Sequence, residues 1–188
     1  NIGLGCGLTL GALRTYNLDE IDNVEISGVV ANGVKYFDFA NNMSIEDNVS
    51  KLYIIGVNSF LYRNKKKYDI IINEPPPAWM RDATRAFSKE FLVLLRNHLD
   101  DDGILSQWVL ANEMIMRDGS LLPFKIFYKT FDEVFPYNLG FISKTKLPKN
   151  SYIIGNKLVT YEYSDVYDEI ILIGSKKPIK FDKNIRVN

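Results

Sequence analysis

An α/β fold, built on a mostly parallel twisted sheet with helices on both faces and an antiparallel C-terminal edge, follows from three features of the sequence. Short β-branched or apolar runs alternate with longer helical patterns, which is how strand–helix–strand units of a parallel sheet read. A glycine-rich run, Gly3-Leu4-Gly5-Cys6-Gly7, stands immediately before a helical pattern, where a buried strand would turn into a helix. The C-terminal part changes to strand-like runs joined by turns, which suits an antiparallel edge.

The elements follow in order. Asn1-Ile2 reads as the end of a first strand, and residues 8–16 as the helix after it. Residues 24–27 form a second strand and 29–37 a second helix; 52–55 form a third strand, followed by a short helix over 59–63. Residues 69–73 are the fourth strand, whose Ile70-Ile71-Ile72 core predicts burial on both faces. The proline-rich run 74–78 stops it. A helix over 85–99 carries Phe87, Phe91, Leu94, Leu95 and His98 at helical spacing, with Ser88 or Thr84 as its cap. Asp102-Gly103 turns the chain into a fifth strand, 104–109, and 122–134 is a further helix. Residues 140–143, 152–154, 157–159 and 169–174 are expected strands, with Gly155-Asn156 as a hairpin turn.

The chain has 188 residues, enough for one core, and residues 1–188 are read as a single domain. The glycine run at the very start, without its preceding strand, is read as a chain lacking that strand and any upstream domain. Lys plus Arg and Asp plus Glu both total 23, so the formal charge is zero and there is no global attraction to nucleic acid or an anionic membrane. Lys65-Lys66-Lys67 reads as a solvated loop. Cys6 is the only cysteine and rules out an intrachain disulfide, in keeping with a reducing compartment. One His and one Cys argue against a zinc site, so no metal is expected. No Gly-x-Ser-x-Gly elbow is present, which disfavours a serine hydrolase.

The glycine run carries the first chemical content. Glycines let the backbone turn tightly and approach a ligand without a Cβ in the way. Leu8 excludes the dinucleotide pattern Gly-x-Gly-x-x-Gly, and no Gly-Lys-Ser/Thr follows, so this is not a phosphate-binding P-loop. Glu25 lies near the end of the second strand, roughly 20 residues on, where a carboxylate can accept from both hydroxyls of a ribose. A structural turn and an exposed strand-end acid remain the alternatives. Gly3, Gly5, Gly7, Glu25 and Glu74 all fall on the carboxyl edge of the expected sheet, where such folds bind ligands.

With these residues placed, the chain resembles the spermidine synthase-like (polyamine aminopropyltransferase) family, which has the Rossmann-like fold of S-adenosylmethionine-dependent methyltransferases. Residues 2–13, 24–37, 68–79 and 87–109 carry the resemblance, above all Val24-Glu25-Ile26-Ser27, Tyr68 to Pro75 and Gly103-Ile104-Leu105-Ser106-Gln107-Trp108. The form Glu74-Pro-x-x-x-Trp79 resembles a bacterial subgroup often fused to membrane-transporter-like segments. The resemblance implies that Gly3, Gly5, Gly7 and Glu25 hold the nucleoside of decarboxylated S-adenosylmethionine or methylthioadenosine. Where the family contacts adenine through Gly-Asp and a small residue, this chain has Gly56-Val57-Asn58. Asn58 is then the remaining group able to bond the base. The family's strand-end acid is matched by Glu74, the expected base or positioner for the attacking amine, and its second acid by Pro77.

Two further residues have open readings. Trp79 either walls the pocket and stacks on a cation, or covers the sheet edge. Gln107 either reaches the substrate or plays a structural role. His98 lies near a helix end and is not expected to act in catalysis. The implied function is aminopropyl transfer from decarboxylated S-adenosylmethionine to a small-molecule amine acceptor. Methyl transfer from S-adenosylmethionine is one alternative, and a non-catalytic nucleoside-binding domain of a larger protein another. The implied location is cytoplasmic, either free or as the cytoplasmic domain of a membrane-fused protein. A homodimer is compatible with the sequence; nucleic acid and membrane are not expected as partners of this segment.

Overall fold

The computed structural model describes residues 1–41, 48–76, 80, 83–110, 121–145, 151–154, 157–160 and 166–180. Three strands run parallel next to the start of the chain: β1 (Ile21–Glu25), β2 (Ser50–Ile54) and β3 (Tyr68–Asn73). β1 pairs with β2, and β3 pairs in parallel with β4 (Leu99–Leu110). Ile2 joins the two pairs, with parallel bridges to Val24 and to Asn73. Its amide donates to Ile72 O at 2.8 Å and its carbonyl accepts from Glu74 N at 3.1 Å. The expected first-strand stub is therefore present, and it lies at the centre of the sheet. From it the chain runs first towards β2 on one side and then towards β4 on the other. Strand order thus reverses at Ile2, and the carboxyl ends of β1 and β3 flank the crevice this creates.

The far side is antiparallel, as expected. β8 (Val166–Ser175) inserts between β4 and β5 (Tyr137–Thr145), pairing antiparallel with both. β6 (Ser151–Ile154) and β7 (Lys157–Thr160) form an antiparallel pair, and the expected turn at Gly155-Asn156 lies outside the described residues.

Helices cover both faces. On one, Leu4, Leu10 of α1 (Leu8–Leu13), Ile21, Ala31 of α2 (Gly28–Gly33) and Val34 form a small core. On the other, Val24, Ile71, Leu105 and Val109 of the sheet pack under α4 (Val57–Arg63), α5 (Lys89–His98) and α6 (Leu122–Val134). Phe131 and Phe135 stack at 5.0 Å between centroids at the heart of this larger core. Burial of such aromatic and aliphatic surface is the main stabilising term, roughly 1.5–3 kcal/mol per large side chain. Among the described residues no helix is long and apolar enough to cross a membrane.

Several expected boundaries shift for identifiable reasons. The second strand begins at Ile21, because Asp22 and Asn23 are buried with partners: Tyr68 Oη and Lys66 Nζ meet Asp22, and Asn23 donates to Ser50 Oγ at 2.9 Å. Burial and Asp22 together push the Tyr68 hydroxyl pKa up. Ser27 does not end the strand but caps α2, accepting from Val30 N at 3.3 Å. The first helix stops at Leu13 and continues to Tyr16 only as turns. The second breaks into α2, a 3-10 turn over Val34–Phe37 and α3 (Asp38–Asn41). The helix expected over 85–99 splits into a 3-10 turn, Ala83–Phe87, and α5, because Ser88 is the cap: it accepts from Phe91 N at 3.2 Å. Burial of β3 on both faces does not hold, since Ile71 is buried but Ile70 is 46% exposed. The helices α4 to α6 cover only the face carrying Ile71. His98 bridges α5 to the end of α4, its ring nitrogens 2.9–3.0 Å from the carbonyls of Leu94, Leu61 and Asn64.

Candidate functional site

The glycine loop leaves Ile2 and enters α1. Gly3, Gly5 and Gly7 all have positive φ, at 91°, 52° and 82°, a region that L-residues other than glycine enter at a cost. Gly3 has a second reason to be glycine. A Cβ there would sit 2.8 Å from the carbonyl oxygen of Glu74, so the loop and the end of β3 touch backbone to backbone. At Gly5 a Cβ would meet nothing within 4 Å, so the exposed loop apex is set by φ alone. Asn41 braces the loop from behind by donating to Cys6 O at 2.8 Å.

Glu25 ends β1 directly beside this loop and is 8% exposed. One carboxylate oxygen accepts from Leu4 N at 3.0 Å, and the other from Ser27 N at 2.8 Å. The side chain thus ties the glycine loop to the start of α2. An ionised carboxylate has about four acceptor positions. Two are used here, and each oxygen retains capacity for a ligand hydroxyl.

Glu74 follows β3, and its side chain turns to α1, where Thr9 Oγ1 donates to Glu74 Oε1 at 2.7 Å. Its amide is spent on Ile2 O, and the following Pro75, Pro76 and Pro77 carry no N–H. The end of β3 is therefore rich in acceptors and poor in donors. Gly3, Gly5, Gly7, Glu25 and Glu74 are brought together at the point where strand order reverses.

The other residues singled out in the sequence fall elsewhere. Asn58 is exposed in the first turn of α4, beyond Gly56, whose Cβ position lies 3.7 Å from Ile26 Cδ1. Gly56 thus lies beside the exposed Ile26 that follows Glu25. Trp79 and Pro77 lie outside the described residues. Gln107 pairs across the sheet with Asn73, the residue before Glu74. It is fully buried with Leu105 and Val109 on the face of α5, its amide donating to Trp108 O at 2.9 Å and accepting from Asn73 Nδ2 at 2.7 Å. Both ends of the amide are thereby engaged within the protein, which favours the structural one of its two readings. Three residues at the site were not anticipated: Thr9, Asn41 and Asn73. Their partners are distant in sequence, and no local pattern marks them. Among the described residues, no group of three or more His, Cys, Asp or Glu side chains could hold a metal ion.

A glycine loop, a strand-end carboxylate beside it and a strand-order reversal between them define an α/β protein of the S-adenosylmethionine-dependent methyltransferase fold. Solved structures agree. A spermidine synthase in complex with the transition-state analogue AdoDATO superimposes with a TM-score of 0.70 at 18% identity, over 94% of this chain and 53% of that one. The spermidine synthase of Thermotoga maritima gives 0.65 at 18%, over 94% and 52%. Human methyltransferase-like protein 13, in complex with SAH, gives 0.65 at 16%, over 97% and 73%. Within that class the chain belongs to the spermine/spermidine synthase domain family, whose profile matches residues 2–136. A curated relative, polyamine aminopropyltransferase 2 of Aquifex aeolicus (strain VF5), is 28% identical over 96% of this chain. The chain spans 33% of that relative's length.

Proposed function

We propose that this chain is the nucleoside-binding catalytic domain of an aminopropyltransferase, taking decarboxylated S-adenosylmethionine as donor and a small amine as acceptor. The observation that carries the reading is Glu25, a buried carboxylate held by main-chain amides at the glycine loop with acceptor capacity left over. That is what a ribose with two neighbouring hydroxyls needs. The similarity to a polyamine aminopropyltransferase supports the same transfer.

The chemistry assigns the second half of the site. The amine nitrogen must attack as the free base. Its lone pair forms a bond to the aminopropyl carbon next to the sulfonium. The carbon–sulfur pair returns to sulfur, leaving neutral methylthioadenosine. The proton released from nitrogen goes to Glu74, which among the described residues is engaged by Thr9. In this reading Asn58 faces the adenine, Trp79 borders the acceptor, and the domain works in the cytoplasm, alone or attached to a membrane segment. Methyl transfer from S-adenosylmethionine is the second reading, favoured by Pro77 where a polyamine site would carry an acid.

Calorimetry on the full-length protein separates these. Tight binding of decarboxylated S-adenosylmethionine, with release of methylthioadenosine that depends on added 1,4-diaminobutane, is the expected result. Preference for S-adenosylmethionine would favour methyl transfer. Binding of neither would leave a non-enzymatic domain.

A further inference from the structure

The first turn of α1 contains a hydroxyl with no local job. Thr9 is β-branched, which is a mild handicap in a helix. Such side chains usually cap the helix start or bond back to a carbonyl of the preceding turn. The N-cap here is Gly7, which has no side chain to cap with, and Thr9 Oγ1 instead crosses to Glu74 Oε1 at 2.7 Å, over 65 residues of sequence. The Glu74 end of the pair is equally specific. Glutamate has three rotatable side-chain bonds, and fixing them costs up to about 2 kcal/mol of rotamer entropy. No other donor among the described residues reaches its carboxylate, the backbone amide being used by Ile2. Thr9 is thus the group that chooses the rotamer of Glu74.

We propose that Thr9 is a positioning residue for amine transfer: by holding Glu74 through Oε1 it fixes the rotamer in which the carboxylate is presented to the N–H of the acceptor amine. The inference rests on the reading of Glu74 as the proton acceptor. It also ties the reacting half of the site to the loop that borders the nucleoside, because Thr9 lies on the helix that this loop opens. A short hydroxyl–carboxylate bond of this kind is among the stronger neutral-to-charged hydrogen bonds. Its loss should cost the reaction step about tenfold in rate.

The test compares Thr9→Val, which keeps the shape and removes the hydroxyl, with Thr9→Ser, which keeps the hydroxyl. Amine-dependent release of methylthioadenosine by the full-length protein gives kcat and KM, and calorimetry gives the affinity for methylthioadenosine. Thr9→Val should lower kcat about tenfold with nucleoside affinity unchanged, and Thr9→Ser should restore most of the rate. In a Glu74→Gln background Thr9→Val should have no further effect, since the two residues act through one contact. Equal kcat in Thr9→Val and wild type, no rescue by Ser, or an additive loss on Glu74→Gln would each overturn the proposal. So would a loss that follows nucleoside affinity, which would mark Thr9 as a loop support only. If Thr9→Val does not fold, Thr9→Ala against Thr9→Ser makes the same comparison. A wild-type protein that binds nucleoside but shows no amine-dependent release would instead remove the aminopropyl reading itself, and this inference with it.

Discussion

The carboxyl ends of β1 and β3 flank Ile2 on either side, the first ending in Glu25 and the second followed by Glu74, yet the two acids are held in opposite ways. Glu25 is buried and fixed by two main-chain amides, those of Leu4 and Ser27. Glu74 is half-buried and held by one side-chain hydroxyl, in a stretch where prolines have removed the main-chain donors. Main-chain donors come with the fold, so the first acid is positioned before any ligand arrives and its geometry is hard to alter without disturbing the loop. A side-chain donor is a local choice, and it can be removed while the backbone stays in place. The difference separates a part of the site whose changes should affect binding and stability together from a part whose changes should affect the reaction alone.

The largest effect that can break this contrast is at Glu25. Glu25→Ala removes the proposed ribose acceptor and leaves two amides without their partner, at about 1–3 kcal/mol for each that stays buried. Nucleoside affinity should fall about 100-fold or more by calorimetry, and the urea midpoint should fall with it. An unchanged affinity would end the ribose assignment. Next comes the contact between the two ends. Gly3→Ala forces a Cβ against the Glu74 carbonyl at 2.8 Å in addition to a φ of 91°, whereas Gly5→Ala meets only the cost of its φ. The first should destabilise by about 3 kcal/mol and the second by about 1–2 kcal/mol, read as urea midpoints at constant slope. Equal losses would mean that the loop and the end of β3 are not in backbone contact.

A smaller effect tests the amide pair beneath Glu74. Asn73 is 1% exposed and gives its Nδ2 to Gln107. Asn73→Leu should cost about 1–3 kcal/mol by leaving the Gln107 oxygen unpaired, and Asn73→Leu with Gln107→Leu should recover most of it. Nucleoside affinity should stay constant in the double variant, since neither residue belongs to the half governed by Glu25.

The smallest effect lies at the opposite, amino end of the same strands, where charges are exposed. Lys51 and Lys66 meet Glu20 at 2.7 and 2.8 Å and hold its carboxyl at about 2, down from 4.5. Because the folded value is the lower one, this stabilisation is complete above about 4.5 and disappears as pH falls towards 2. Glu20→Gln should therefore lower Tm slightly at neutral pH, by an amount that closes on acidification and in high salt. A salt-independent loss would show that this cluster is more than a solvated surface pair.

The same contrast explains what could be read from the sequence. Glu25 was legible because its meaning is local: an acid at a strand end, at a fixed reach beyond a glycine run. Its neighbour Ser27 reads as the last residue of the strand, whereas its hydroxyl caps α2. Asp22 and Asn23 hid the beginning of β1 because they look like loop residues until Tyr68, Lys66 and Ser50 are seen beside them. Gln107 stands out in the sequence with two readings open, and its partner Asn73 was not legible because it lies 34 residues earlier. Thr9 carries no mark at all, because its partner is 65 residues away.

The insertion of β8 between β4 and β5 has a consequence for how the chain is made. β5 leaves the ribosome before β8, yet among the described strands β8 is its pairing partner. Until Val166–Ser175 emerges, the outer edge of β4 and both edges of β5 have no strand beside them, and unpaired edges are templates for association with other chains. A strand synthesised after both of its neighbours therefore closes the sheet from within. A nascent or truncated chain ending before it should be the form most prone to aggregate and most dependent on chaperones.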